Sequence, residues 1–155
     1  TGELRQLIGL HFAADLSRCG IFGHSMGGHG ALTLALRHPD LYRSVSAFAP
    51  ICAPSLCPWG EKAFGGYLGE ERSLWRGHDA TALVEDGHRC PPILIDQGLD
   101  DSFLAVQLHP ERFEQVCADG QPLTLRRHAG YDHGYYFIST FMADHLAHHA
   151  QHLSA

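Results

Sequence analysis

This chain is poor in positive charge. Eleven lysines and arginines stand against 17 aspartates and glutamates over 155 residues, a formal charge of −6. Such a balance offers no basic stripe for a nucleic acid or an anionic membrane surface. Long hydrophobic runs are missing too. No stretch of eighteen apolar residues is present, so no transmembrane helix is expected, and no signal peptide is seen at Thr1. Cysteine is sparse and unpaired in pattern. Cys19, Cys52, Cys57, Cys90 and Cys117 are odd in number and contain no Cys-x-x-Cys pair. A disulfide framework is therefore not expected, and a reducing compartment, the cytoplasm, is. Repeats and low-complexity tracts are absent, and the length suits one domain over residues 1–155. Apolar residues make up 45% of the chain, enough to build a core.

What is present begins with Cys19-Gly20-Ile21-Phe22-Gly23-His24-Ser25-Met26-Gly27-Gly28. Here Gly-x-Ser-x-Gly follows a short apolar stretch and precedes a run rich in small residues and Leu, which His38-Pro39 ends. That order is the form of a nucleophile elbow, a serine on a tight strand-to-helix turn. Gly23 and Gly27 are read as positions where a Cβ would strike the neighbouring strand or helix. The serine hydroxyl then sits at a helix start, where backbone N–H groups can receive developing negative charge. The alternative is a glycine-rich turn whose serine merely caps the helix.

A nucleophilic serine needs a base, and the base an orienting carboxylate; after an elbow these follow in the order Asp or Glu, then His. Ile93-Leu94-Ile95 reads as a buried strand, with Gly98 to Asp101 as the loop at its carboxyl end, where open parallel sheets gather functional groups. Asp96 lies inside the strand and is read as supporting the loop, while pattern leaves Asp100 and Asp101 unseparated. Leu123 to Arg127 reads as another strand, leading into His128-Ala129-Gly130-Tyr131-Asp132-His133-Gly134 and a long last helix. His133 in that loop is the candidate base; His128, abutting the strand, reads as structural. Strands are expected around Gly20 to Phe22, Ser44 to Ala49, Pro92 to Ile95 and Leu123 to Arg127, and helices over Leu4 to Phe12 and His109 to Ala118. Residues 53–88 form a long connection with short helices, of the kind that borders active sites. The last helix carries His145, His148, His149 and His152, and His145 has helical spacing for one face with His148 and with His149; solvated histidines account for the cluster as well as a metal site does. Cys52 and Cys57 read as buried small hydrophobes rather than a redox pair.

Longer blocks carry a family resemblance. They are Ile21 to Leu32, Ser44 to Cys52, Cys57-Pro58-Trp59-Gly60, Lys62-Ala63-Phe64, Gly66 to Gly69, Asp79-Ala80-Thr81, Ile95 to Gly98, Gly130 to His133 and Tyr135 to Ile138. Together and in this order they resemble the S-formylglutathione hydrolases, the esterase D group of α/β-hydrolases. The resemblance implies an α/β fold with a mostly parallel sheet flanked by helices. It implies Ser25 as nucleophile, His133 as general base, Asp101 as the carboxylate that orients His133, and the Met26 backbone N–H as an oxyanion donor. It places Trp59 in a loop bordering the substrate pocket, where it either binds substrate or only packs. The implied reaction is hydrolysis of the thioester S-formylglutathione to formate and glutathione, in formaldehyde detoxification. No metal or organic cofactor is implied, nor a nucleic-acid or membrane partner, and a homodimer is an allowed assembly. A general short-chain carboxylesterase uses the same triad.

Members of that family carry several strands and a second oxyanion donor before the elbow. Only about four strands are read here, so the expectation is a partial α/β-hydrolase domain lacking the N-terminal strands, whose own activity and folding are open. An inactive fragment is the third reading.

Overall fold

A computed structural model describes residues 2–154. The order of regular elements is α1 (Gly2–His11), β1 (Gly20–His24), α2 (Met26–Arg37), β2 (Ser44–Phe48), α3 (Pro58–Leu68), α4 (Ala80–Glu85), β3 (Ile93–Gly98), α5 (Pro110–Cys117), β4 (Leu123–His128) and α6 (Tyr135–Leu153). Short 3₁₀ turns at Pro54–Leu56 and Arg72–His78 lie in the long connection, and a π turn covers Leu104–Leu108. The four strands expected from sequence form one sheet in the order β1-β2-β3-β4, every pair parallel.

Two-residue alternation assigns the faces of this sheet. Val45 and Ala47 of β2, with Ile93 and Ile95 of β3, join Leu32, Leu36, Leu83, Val84 and Phe113 in one core under α2, α4 and α5. The alternate residues turn to α6: Phe48 packs with Phe137, Leu108 and Ile51 in a second core. All residues of β2 and β3 are buried, as strands covered on both faces should be. Among the described residues β1 pairs only with β2. Phe22 on β1 is 47% exposed and α1 buries no residue.

The last helix departs from the expectation of solvated histidines. His145 and His149 are buried against the sheet. Ser44 Oγ lies 2.6 Å from His149 Nδ1, and Ser46 Oγ lies 2.8 Å from its Nε2. Sequence spacing identified a shared face but not its direction; the α6 side of the sheet claims it, with Ser44, Ser46 and Asp96 receiving the rings. Among the described residues no group of three or more His, Cys, Asp or Glu side chains could hold a metal ion. All five cysteines are free thiols, and burial pushes the Cys52 thiol well above its ordinary value.

Candidate active site

Parallel pairing carries on past the strand ends and fixes the loops above the sheet. His24, Phe48, Asp96 and Arg126 stand side by side across the four strands. Beyond them, the N–H of Ser25 donates to the Phe48 carbonyl (2.9 Å), that of Ala49 to Asp96 (2.8 Å), and that of Leu99 to His128 (2.9 Å). The Asp100 N–H reaches the Tyr131 carbonyl at 3.0 Å. The loops bearing Ser25, Asp101 and His133 are thus tied to one sheet end, where α/β folds place ligands.

Ser25 occupies φ 56°, ψ −116° between β1 and α2. A positive φ is costly for a residue with a Cβ and persists only where the surroundings impose it. Its side chain makes no capping hydrogen bond to α2, so the turn does not use the hydroxyl as a helix cap. A Cβ on Gly23 would lie 2.3 Å from the Gly27 carbonyl oxygen, which explains glycine there. Gly27 itself differs from expectation: a Cβ there meets nothing within 4 Å. The tight packing at this turn belongs instead to Gly28, whose Cβ would stand 3.0 Å from the Pro50 ring.

Asp101 and His133, 32 residues apart, meet with Nδ1 2.6 Å from Oδ2. The Asp101 side chain is fully buried, and that of His133 is 18% exposed. Gln97 donates to the same Oδ2 at 3.3 Å, and the Phe103 N–H donates to Oδ1 at 2.8 Å. Three donors therefore fix the carboxylate that faces the imidazole. Asp100 is exposed. Asp96 lies in a separate cluster facing α6: Arg126 donates to both of its oxygens, and His145 Nε2 is 3.2 Å from Oδ2. Burial would raise the Asp96 carboxyl, yet hydrogen bonds from His145, Arg126 and His128 hold it well below the usual carboxylate range.

Ser25 and Met26 open onto a cavity of about 310 Å³ lined mainly by apolar groups, among them Ile51, Trp59, Ala63, Phe64 and Tyr67. Cys57 Sγ accepts from the Gly60 N–H at the start of α3, and Pro58 is tolerated in that first turn. This start sets Trp59 on the cavity wall, its ring 4.7 Å from that of Phe103. Two neighbours escaped the sequence reading. Phe103 meets the His133 ring edge-on at 5.1 Å, and His24 packs on it at 4.4 Å between centroids. His24 adjoins the serine in the motif, but nothing local shows that it reaches a loop more than a hundred residues on.

A parallel sheet between helical layers, with a strained serine at a strand end and a buried carboxylate–histidine pair nearby, defines a chain of α/β-hydrolase type. Comparison with known families narrows that class: the family described as "Putative esterase" matches residues 1–148, and the chain belongs to this esterase family. S-formylglutathione hydrolase of Rattus norvegicus is 57% identical across all of this chain and 56% of the rat protein. The Arabidopsis thaliana enzyme of that name is 52% identical across 96% of the chain and 54% of its own length. A solved S-formylglutathione hydrolase structure from Agrobacterium tumefaciens superposes with a TM-score of 0.96 at 59% identity, covering 99% of this chain and 56% of that one. A ferulic acid esterase at 21% identity and a TM-score of 0.76 shares the fold. The chain spans about half the length of the curated relatives it matches. Among the described residues no helix is long and apolar enough to cross a membrane.

Proposed function

We propose that this chain carries the serine, base and orienting carboxylate of a hydrolase that cleaves S-formylglutathione to formate and glutathione. The 2.6 Å contact between His133 Nδ1 and Asp101 Oδ2, on the sheet end that also bears the strained Ser25, carries the reading. With Nδ1 engaged, Nε2 is the nitrogen left to take the Ser25 proton. The serine oxygen attacks the formyl carbon, and the oxyanion is held by backbone N–H groups, Met26 at the start of α2 among them. Glutathione leaves, its sulfur taking the proton from His133. Water, deprotonated by His133, then attacks the formyl-serine, and Ser25 leaves with that proton returned from His133 as formate is released. Trp59, which lines the cavity beside Ser25, is taken as a wall for the acyl or thiol part of the substrate. The names of relatives 52–57% identical to this chain support the substrate. A general short-chain carboxylesterase is the second reading, favoured by an apolar cavity much roomier than a formyl group needs.

The test is hydrolysis of S-formylglutathione and of an aryl acetate by the 155-residue chain, its Ser25→Ala variant, and a version preceded by the N-terminal half of a relative. Thioester cleavage by the chain or its extended version, lost in Ser25→Ala, is expected. Preference for the aryl acetate would favour the second reading. Cleavage that survives Ser25→Ala would overturn both.

A further inference from the structure

His24 stands out as a polar group whose place the reaction above does not explain. It is the last residue of β1, two positions after Phe22. Two-residue alternation therefore puts both on the face that carries α6, and Phe22 indeed approaches His149 of that helix at 5.5 Å. The loop that leads into α6 crosses this end of the sheet, and with it His133. The His24 and His133 rings lie 4.4 Å apart at 44°. His24 Nε2 is buried and, among the described residues, without a hydrogen-bond partner.

His24 as a whole is half-buried, and its surroundings disfavour charge. Burial first, and then the positive charge that His133 carries when protonated, push the His24 pKa below the ordinary histidine value; the Asp101 carboxylate and a hydrogen bond to the His133 backbone oppose this. Among the described residues, His133 and Asp101 are the charged groups that act on it. An uncharged ring is also what the base needs beside it, because a second cation would oppose each proton transfer to His133.

We propose that His24 is a positioning residue for His133: its uncharged ring packs against the imidazole and, with Phe103 edge-on at 5.1 Å and Asp101 on Nδ1, holds the ring in the plane in which Nε2 serves Ser25. Strand-end histidine and base thus pack ring against ring, and Ser25 is the next residue in the chain after His24. Register fixes it: the Ser25 N–H is pinned to Phe48, and His24 has no freedom to move apart from the nucleophile. The inference rests on the roles given to Ser25 and His133 under Proposed function.

Phosphonylation of Ser25 by a fluorophosphonate probe tests it, since that step needs the nucleophile and base but no glutathione site. Ser25→Ala should abolish labelling and His133→Asn should nearly abolish it. If Ser25→Ala labels normally, or the unmodified chain does not label, the proposed site itself fails. Given a working site, His24→Ala should label about ten- to a hundredfold more slowly, the scale of a small misplacement of a reacting group. His24→Phe, which restores an uncharged ring at this position, should return to within about threefold of the unmodified rate. A His24→Ala rate equal to the unmodified one, or a His24→Phe rate as slow as that of Ala, overturns the proposal. An NMR titration decides even where labelling fails or His24→Ala does not fold. The His24 midpoint should lie below the ordinary histidine value and rise in His133→Asn; an unmoved midpoint overturns the contact.

Discussion

At the scale of single residues, the adjacent aspartates Asp100 and Asp101 differ by one position and by everything that matters for chemistry. The Asp101 side chain is buried, accepts from Gln97 and the Phe103 N–H, and faces His133 Nδ1. The Asp100 side chain is exposed, and its N–H is spent on the Tyr131 carbonyl. In Asp101→Asn the carboxylate that fixes the imidazole tautomer is gone, a change that costs about 10⁴ in turnover in serine proteases built on the same logic. We expect a loss of about 10³- to 10⁴-fold in kcat for Asp101→Asn and under threefold for Asp100→Asn, read on one aryl ester. Equal losses would place the orienting carboxylate elsewhere. The serine itself illustrates stored strain. Its φ of 56° is tolerated because Phe48 receives its N–H while its carbonyl accepts from His29 and Ile51.

At the scale of elements, the site depends on how the end of β3 meets the loop between β4 and α6. Gly98 closes β3 beside His128, the last residue of β4. A Cβ at Gly98 would lie 2.3 Å from the Tyr131 carbonyl oxygen and 2.9 Å from that of Asp132. Both neighbours are backbone, and both lie in the loop that carries His133, so the clash can be relieved only by moving that loop. Gly98→Ala should therefore cost about 1–3 kcal/mol in urea denaturation, the usual range for overpacking. It should also slow ester hydrolysis far more than that stability loss would explain, because His133 is displaced from Asp101. Unchanged activity in a destabilised Gly98→Ala protein would mean that the loop is not held by this contact. Helix α6 shows the same dependence in another form: its buried face is accepted by polar groups on the sheet, Ser44 and Ser46 for His149 and Asp96 for His145.

Those buried histidines act on the whole molecule through pH. Burial, with the charges of His148, His145 and His152 added, lowers the His149 pKa to about 4; burial also lowers those of His148, His29 and His24. The unfolded chain takes up a proton near the ordinary value of about 6.5, whereas folded His149 takes one only near 4. Between those values the unfolded state binds more protons, so stability is full above about pH 6.5 and falls as pH drops toward 4, by about 3 kcal/mol from this one group. Asp96, held below the usual carboxylate range, adds a second loss at still lower pH. Urea denaturation at pH 7 and pH 4.5 should show this fall, and His149→Gln should flatten it. An unchanged slope in His149→Gln would assign the acid sensitivity to other groups.

Much of this protein was legible in one dimension because its signals are local. Gly-x-Ser-x-Gly between a strand pattern and a helix pattern already marks the elbow, and short apolar stretches mark the strands, most continuously at Ile93-Leu94-Ile95, where burial on both faces leaves an unbroken hydrophobic record. The candidate serine and the candidate histidine could be chosen on the same footing, from motif and loop position. Other features rest on groups far apart in the chain. Local pattern could not separate Asp100 from Asp101; the family resemblance pointed to Asp101, and parallel register brings it to His133 across 32 residues. The inward turn of His145 and His149, the packing of His24 on His133, and the tightness at Gly28 rather than Gly27 likewise depend on which surfaces the sheet and helices press together. Periodicity gives a helix a face and a strand two sides. Only tertiary packing decides what lies against them, because the partner is supplied by a segment whose distance in sequence carries no information about its distance in space.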